Sequence, residues 1–504
     1  MAKKMGVTME VGNDGVTVIT ISNPPVNSLA SPIISGLKEK FQDANHRSDV
    51  KDIVLTGNGG RFSGGFDINV FQQVHKTGDI SLMPEVSIDL VCNLMEGFCL
   101  ERKAHNGNNG LKRHGFISVT SFGAVGDGKA DDTKAFLKAW KAACKGGSRG
   151  KTNFLVPLGK TFMLKPLTFE GPCKSSSITF LIRGNLVAPG YTWHAGNYPA
   201  WISFGSINGL VVTGGGTVNG RGSVWWRNVQ HRPTAMHFNN CNGLHISNLH
   251  HLNSPRNHIS LSCSENISLS GLNMTAPGDS PNTDGIDISN CRGVDIRDSV
   301  IATGDDCIAI NGGSSYINIT GIFCGPGHGI SVGSLGENGH FSAVEEVRVK
   351  NCTLSNTKNG VRIKTFQNGS GFARKISFEE IKMVASENPI IIEQNYHDRA
   401  KNGDVSFEYS NYQSCRVNRL YQTLSGSGNG RGVRVSDVRY SRIHGSSASS
   451  EAITMNCDAN LGCVDIVMDH VDLVSAKSGH KVSASCKNVH GKYFDSDISC
   501  QKKH

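Results

Sequence analysis

The chain has 504 residues, 38% of them hydrophobic, with 59 glycines, 15 cysteines and a formal charge of +9. That length gives room for more than one domain and a large core, and the glycine content suits strands and turns better than helices. No uninterrupted apolar run of about 18 residues occurs, so a membrane-spanning helix is not expected.

Residues 1–96 read as a module of their own. Met1 to Gly12 is polar and lacks the apolar core of a secretory signal. Val16 to Ile21 is a predicted strand that Asn23-Pro24-Pro25 breaks, Ile33 to Asn45 has helical spacing, and Ile53 to Thr56 is a buried strand. Alternating strand and helix predicts an α/β arrangement. The Gly-rich stretch Gly57 to Asp67 follows; its bare N–H groups could face an anion or oxyanion, although an ordinary turn is the plainer reading.

Two segments here, Ile21 to Ala30 and Arg61 to Asp67, resemble the opening of the crotonase (enoyl-CoA hydratase/isomerase) family, closest to plant peroxisomal multifunctional proteins. The resemblance implies that the loop around Phe62–Gly64 supplies one oxyanion-hole donor for a thioester enolate. It stops near Glu96, short of the segment that carries the family's second donor and catalytic glutamates. Half an oxyanion hole without acid or base cannot hydrate an enoyl-CoA. Residues 1–96 are therefore expected to be a truncated, inactive crotonase-like fragment, and the polar, Asn/Gly-rich residues 97–115 a linker.

The second module, 116–504, holds the whole basic excess, because residues 1–115 carry 12 Lys+Arg against 12 Asp+Glu. Such an excess suits nucleic acid or an acidic polysaccharide, or serves solubility alone. All but Cys92 and Cys99 of the cysteines lie here, with five Asn-x-Ser/Thr sequons at Asn266, Asn273, Asn318, Asn351 and Asn368. Together they point to an oxidising, secretory history. Asp131-Asp132-Thr133 opens a predicted helix with Phe136, Leu137, Trp140 and Ala143 on one face, a natural lid for a solenoid.

Strand repeats fill the rest. Ile286, Ile308, Ile330 and Val361 begin short β-branched strands at steps of 22, 22 and 31 residues. A second series runs through Leu244, Ile267, Val294, Ile317, Val347 and Ile376, and resumes at Val433 and Val464 after a gap read as two turns. Two or more strands per turn over about ten turns predict a mainly β fold, a right-handed parallel β-helix. A β-sandwich would need hairpin signals that are scarce here.

Asp284, Asp306 and His328 each lie two residues before the first apolar residue of a repeat. In a parallel coil such positions stack about 4.7–4.9 Å apart. Singly, each acid is read as a strand-capping turn residue. Three carboxylates converging from adjacent turns oppose one another's ionisation, leaving an acid beside a base. Strict alternation sends Asp306 inward and Asp305 outward, so a bend must turn them together, with Gly285 and Gly329 as its expected sites. His328, structural when taken alone, would be held charged by Asp306 one turn away. Arg362 and Lys364 point away from the core, either as a solvated stripe or as a clamp for a substrate carboxylate. Tyr396 is either a subsite floor or a packed core residue. Cys241, Cys263 and Cys291, at one phase of the repeat, are expected to stack inside as thiols.

Asn282-Thr283-Asp284, Gly304-Asp305-Asp306, Gly327-His328-Gly329 and Arg362-Ile363-Lys364, in this order, resemble the plant-type polygalacturonases of glycoside hydrolase family 28. The resemblance covers about residues 116–504 and implies inverting hydrolysis of α-1,4-galacturonosyl linkages in pectin. It implies Asp305 as general acid, Asp284 and Asp306 as the holders and activators of water, and His328 as support of the acid. Asn282, Arg362, Lys364 and Tyr396 would bind the sugar. It further implies disulfides Cys307–Cys324, Cys457–Cys463 and Cys486–Cys500, no metal or other cofactor, and an extracellular or cell-wall location, although no signal peptide is visible. His397 stands where plant relatives usually have Cys, and residues 397–432 are poorly patterned. The expected partner is pectin (homogalacturonan), not nucleic acid or membrane, and a monomer is expected. The competing readings are a non-catalytic wall-binding solenoid, a CoA-thioester remnant, and a pectate lyase, which would want Ca²⁺-binding acids.

Overall fold

A computed structural model describes residues 5–12, 14–23, 31–47, 49–50, 52–58, 116–145, 150–194, 199–227, 231–396, 415, 432–498 and 500. The chain divides into two compact units, Met1–Lys112 and Arg113–His504. In the first, Gly6–Val11 (β1) pairs antiparallel with Val16–Ser22 (β2), which pairs in parallel with Asp52–Gly57 (β3). The helix Ser31–His46 (α1) makes the crossover, and its Ile33, Leu37 and Phe41, four residues apart, pack with Ile19 and Ile21 of β2. The strand–helix–strand order is the one expected, with β1 added at its start. The loop around Phe62–Gly64 and residues 97–115 lie outside the described residues.

The second unit is a right-handed parallel β-helix. The helix Thr133–Lys145 (α2) covers its first turns, laying Phe136 and Trp140 on Phe154, Phe162, Phe169 and Phe180. Leu137, expected on that buried face, is exposed; the face runs through Phe136, Ala139, Trp140 and Ala143 instead, the i, i+3, i+4, i+7 stripe of a helix.

One wall is a sheet of 11 strands: Leu167–Glu170 (β4), Ala200–Gly205 (β5), Thr234–Asn239 (β6), Ile259–Ser262 (β7), Ile286–Ser289 (β8), Ile308–Ile310 (β9), Ile330–Leu335 (β10), Asn359–Thr365 (β11), Asn388–Glu393 (β12), Glu451–Asn456 (β13) and Ser483–Lys487 (β14). A second sheet of 19 strands supplies the other walls. In the first, Ile286 pairs with Ile308, Ile308 with Ile330 and Ile330 with Val361, the register that the steps of 22, 22 and 31 residues demand. Those four side chains, and Ile288, Ile310, Val332 and Ile363 two residues on, are wholly buried. Each contributes about 1.5–3 kcal/mol by leaving water.

Two expectations need correction. Ile376 pairs with Val438, not Val433, so the interval between them is one turn rather than two. Cys263 is bonded to Cys415 rather than stacked inside, because its left-handed backbone (φ 53°) places it at a corner of the coil. Cys241 and Cys291 are buried thiols, joined by Cys352. Bridges also join Cys307 to Cys324, Cys457 to Cys463 and Cys486 to Cys500, and Cys144 of α2 to Cys173, a pair the sequence reading did not single out.

Candidate active site

The acids gather where β8, β9 and β10 begin. The Gly285 N–H donates to the Asp306 carbonyl (2.9 Å) and the Cys307 N–H to the Gly329 carbonyl (2.8 Å), so three successive turns are tied rung to rung just ahead of their core strands. Of the two glycines expected as bends, Gly329 has left-handed backbone (φ 85°), and a Cβ there would lie 2.1 Å from the Gly360 carbonyl oxygen. Gly285 also lies in a bend, though without left-handed backbone. It permits close approach, since a Cβ would lie 2.5 Å from the Cys307 oxygen.

Asp305 and Asp306 are turned to one place but engage different partners. Asp305 folds back on the turn, so that its Oδ1 accepts from the Asp306 N–H (2.9 Å) and lies 2.7 Å from His328 Nδ1. His328 thus pairs with Asp305, not with Asp306 as expected. The reason is local: the His328 N–H donates to the Asp305 carbonyl (2.7 Å), a turn contact that brings their side chains together. Asn282 Nδ2 reaches Asp305 Oδ2 at 3.5 Å.

Asp306, 1% exposed, is enclosed. Its Oδ1 accepts from Arg362 Nη2 (2.8 Å) and Ser331 Oγ (2.8 Å), and its Oδ2 from Lys364 Nζ (2.9 Å). Arg362 Nε also donates to Ser331 (3.0 Å). The outward alternation of Arg362 and Lys364 on β11 therefore turns both cations onto Asp306, two strands away. Tyr396 lies at the edge of this group, its ring 5.5 Å from Lys364 Nζ and edge-on to Phe366.

The carboxylates are driven apart in acidity. Burial would push Asp306 up, but Lys364 and Arg362, with hydrogen bonds from Lys364 and Ser331, outweigh it and hold the group at about 2. Asp284 moves the other way: burial first, then the charges of Asp287, Asp305 and Asp306, raise its carboxyl well above the usual range, against a smaller opposing pull from Lys364. One carboxylate is a fixed anion and its neighbour resists ionisation, so like groups beside one another are given unlike proton affinities.

Several participants escaped the sequence reading. Ser331, Asp287 and Asn257, whose Nδ2 donates to Asp287, are buried on the same wall. His258 sets Nδ1 3.1 Å from the Asp284 carbonyl. Ser331 and Asp287 each occupy the outward position next to a core residue of the repeat, the signal that could have found them. His258 and Asn257 carry no such signal. Asp305, Asp306 and His328 bring one ligand atom each within 4.8 Å of one another, a spacing that could hold a metal ion. Both Asp306 oxygens are already committed to cations, however, and a third positive charge there would be repelled.

Comparison with known proteins decides the class. The model of the glycosyl hydrolases family 28 matches residues 144–407 and 404–500. The chain belongs to this family. Family 28 relatives include polygalacturonase-2 of Solanum lycopersicum, 40% identical over 439 residues (84% of this chain, 88% of the relative), and a polygalacturonase of Malus domestica, 41% identical over 387 residues (75% and 77%). Among solved structures, the endo-xylogalacturonan hydrolase from Aspergillus tubingensis superposes with TM-score 0.62 at 22% identity, covering 76% of this chain and all of that one. That likeness supports the family 28 β-helix as a fold. Separately, the enoyl-CoA hydratase/isomerase model matches residues 11–90. Among the described residues, no helix is long and apolar enough to cross a membrane.

Proposed function

We propose that this polygalacturonase-family chain hydrolyses galacturonosyl linkages of de-esterified pectin with inversion at the anomeric carbon. The observation that carries the reading is the gathering of Asp305, Asp306 and His328 within 4.8 Å of one another, with Arg362 and Lys364 paired to Asp306. Asp305, within 2.7 Å of His328, donates a proton to the leaving glycosidic oxygen. Asp284, whose affinity for protons is raised by burial and by its acidic neighbours, is the better base and removes the proton of the attacking water. Asp306, pinned by two cations, is too weak a base for that step and orients the water by accepting a hydrogen bond.

Arg362 and Lys364 keep Asp306 ionised and leave guanidinium and ammonium edges for a sugar carboxylate, while Tyr396 borders the same subsite. The substrate class, an acidic polysaccharide, agrees with the basic excess of residues 116–504. It implies action at the cell wall, outside the cell. Residues 1–96 are assigned no part in this chemistry, and residues 97–115 serve as the linker.

Incubating the full chain with polygalacturonate and following reducing ends tests the reading. Release of reducing ends without an unsaturated-product chromophore is expected. The chromophore would mean a lyase, and binding without release a wall-binding solenoid.

A further inference from the structure

Asn282 is a side chain with two unlike ends in the groove, and something must decide which end meets Asp305. A carboxamide can turn about its last torsion at little cost, exchanging donor for acceptor. The residue responsible comes from two turns away. Arg232, two residues before β6, donates from Nη2 to Asn282 Oδ1 (2.5 Å) and from Nη1 to the Pro281 carbonyl. The intervening rungs β6–β7 and β7–β8 are in continuous parallel register, which fixes where Arg232 stands relative to the loop ahead of β8. Asn282 itself has left-handed backbone (φ 51°), so it is presented at a sharp turn with its side chain toward Asp305.

We infer that Arg232 is a positioning residue for this reaction, holding the Asn282 amide so that its N–H, not its oxygen, faces the general acid. The inference rests on the proposed role of Asp305. A guanidinium has only donors, so its partner in Asn282 must be the amide oxygen, and Nδ2 is left to address Asp305 Oδ2. Asp305 Oδ1 is already occupied by His328 and the Asp306 N–H. When Asp305 gives up its proton, the charge on Oδ2 is met by the Asn282 N–H. That contact spans 3.5 Å in the free protein, and hydrogen bonds of this kind shorten as the reacting complex forms. An interaction strengthened only as charge develops lowers the barrier without tightening substrate binding. With the amide turned over, an oxygen would face the new carboxylate and oppose its formation.

The test is a double-substitution cycle in the full chain, with polygalacturonate turnover as readout. Arg232→Ala is expected to lower kcat about tenfold with KM within about twofold. In an Asn282→Ala background the same change is expected to have less than about a twofold further effect, because the two residues act as one device. Arg232→Lys, a single-point donor that cannot hold Pro281 and Asn282 together, is expected to recover only part of the loss. Raised KM with unchanged kcat would mean that Arg232 grips the sugar directly, and an undiminished loss in the Asn282→Ala background would mean that it acts elsewhere; either overturns the inference. If Asn282→Ala leaves too little turnover for the cycle, the kcat-against-KM split of Arg232→Ala decides. If Arg232→Ala does not fold, Arg232→Gln carries the same readouts. A wild-type chain without turnover overturns the functional reading itself, and with it any catalytic part for Arg232.

Discussion

Lys364 sets its ammonium nitrogen 2.9 Å from Oδ2 of Asp306, with both side chains almost excluded from water. Desolvation of a charge is tolerated only where partners replace the lost hydration. Lys364→Met leaves Asp306 with Arg362 and Ser331 alone. The expected cost is about 3 kcal/mol in unfolding free energy, at the low end for a broken buried pair because one cation remains. Denaturant titration of the full chain checks it, and turnover should fall on the order of 100-fold. An unchanged midpoint would show that the pair contributes nothing to the fold.

Asp306 makes a second prediction through pH. Its folded-state value of about 2 lies below the ordinary carboxylate value of 3.8. Its contribution to stability is therefore complete above about pH 4 and is lost as pH falls toward 2. The stability difference between wild type and Asp306→Asn should shrink by roughly 2 kcal/mol across that window. Unfolding measured at several acid pH values reads this directly. A constant difference would contradict the depressed acidity.

Asp305 and Asp284 should fail differently when neutralised. Asp305→Asn is expected to abolish turnover, by a factor on the order of 10²–10⁴, with unfolding unchanged within about 1 kcal/mol. Asp284→Asn should show a comparable loss. Because the Asp284 carboxyl is raised, the acid limb of wild-type kcat/KM should sit above the ordinary carboxylate range, and that limb should disappear from the residual activity of Asp284→Asn. Activity of Asp305→Asn within a few-fold of wild type would remove the acid assignment.

The Cys307–Cys324 bridge closes a 17-residue interval between the turn of Asp306 and the turn of His328. Replacing both cysteines by serine should cost about 3 kcal/mol on the loop-closure estimate. The loss of turnover should exceed the loss of folded protein, since the bridge also fixes Asp305 against His328. Comparing residual activity with the folded fraction from circular dichroism separates the two effects.

What the sequence made legible was whatever its period controls. The steps between Ile286, Ile308, Ile330 and Val361 dictate strand register, and register sets the turns that carry Asp284, Asp305 with Asp306, and His328 side by side. Side-chain partners depend instead on turn geometry finer than the period. His328 chose Asp305 because a backbone contact between the same two residues closes the turn. Arg362 and Lys364 point outward as alternation requires, but alternation says nothing of what an outward cation meets, and both meet Asp306. Arg232 was invisible because its partner stands 50 residues on in a loop with no repeat. Val433 misled because an apolar–Arg–apolar triplet recurs five residues before the one that continues the ladder, Val438-Arg439-Tyr440.

The direct pairing of Ile376 with Val438 bears on how such an enzyme can diversify. Pitch in this coil is set by neighbouring strands, each seated on the one before, so Ile376 finds Val438 whatever length of chain intervenes. Loops at the rim can thus lengthen, shorten or be exchanged, reshaping which polymers fit and where along them cleavage falls, while the catalytic floor stays in place.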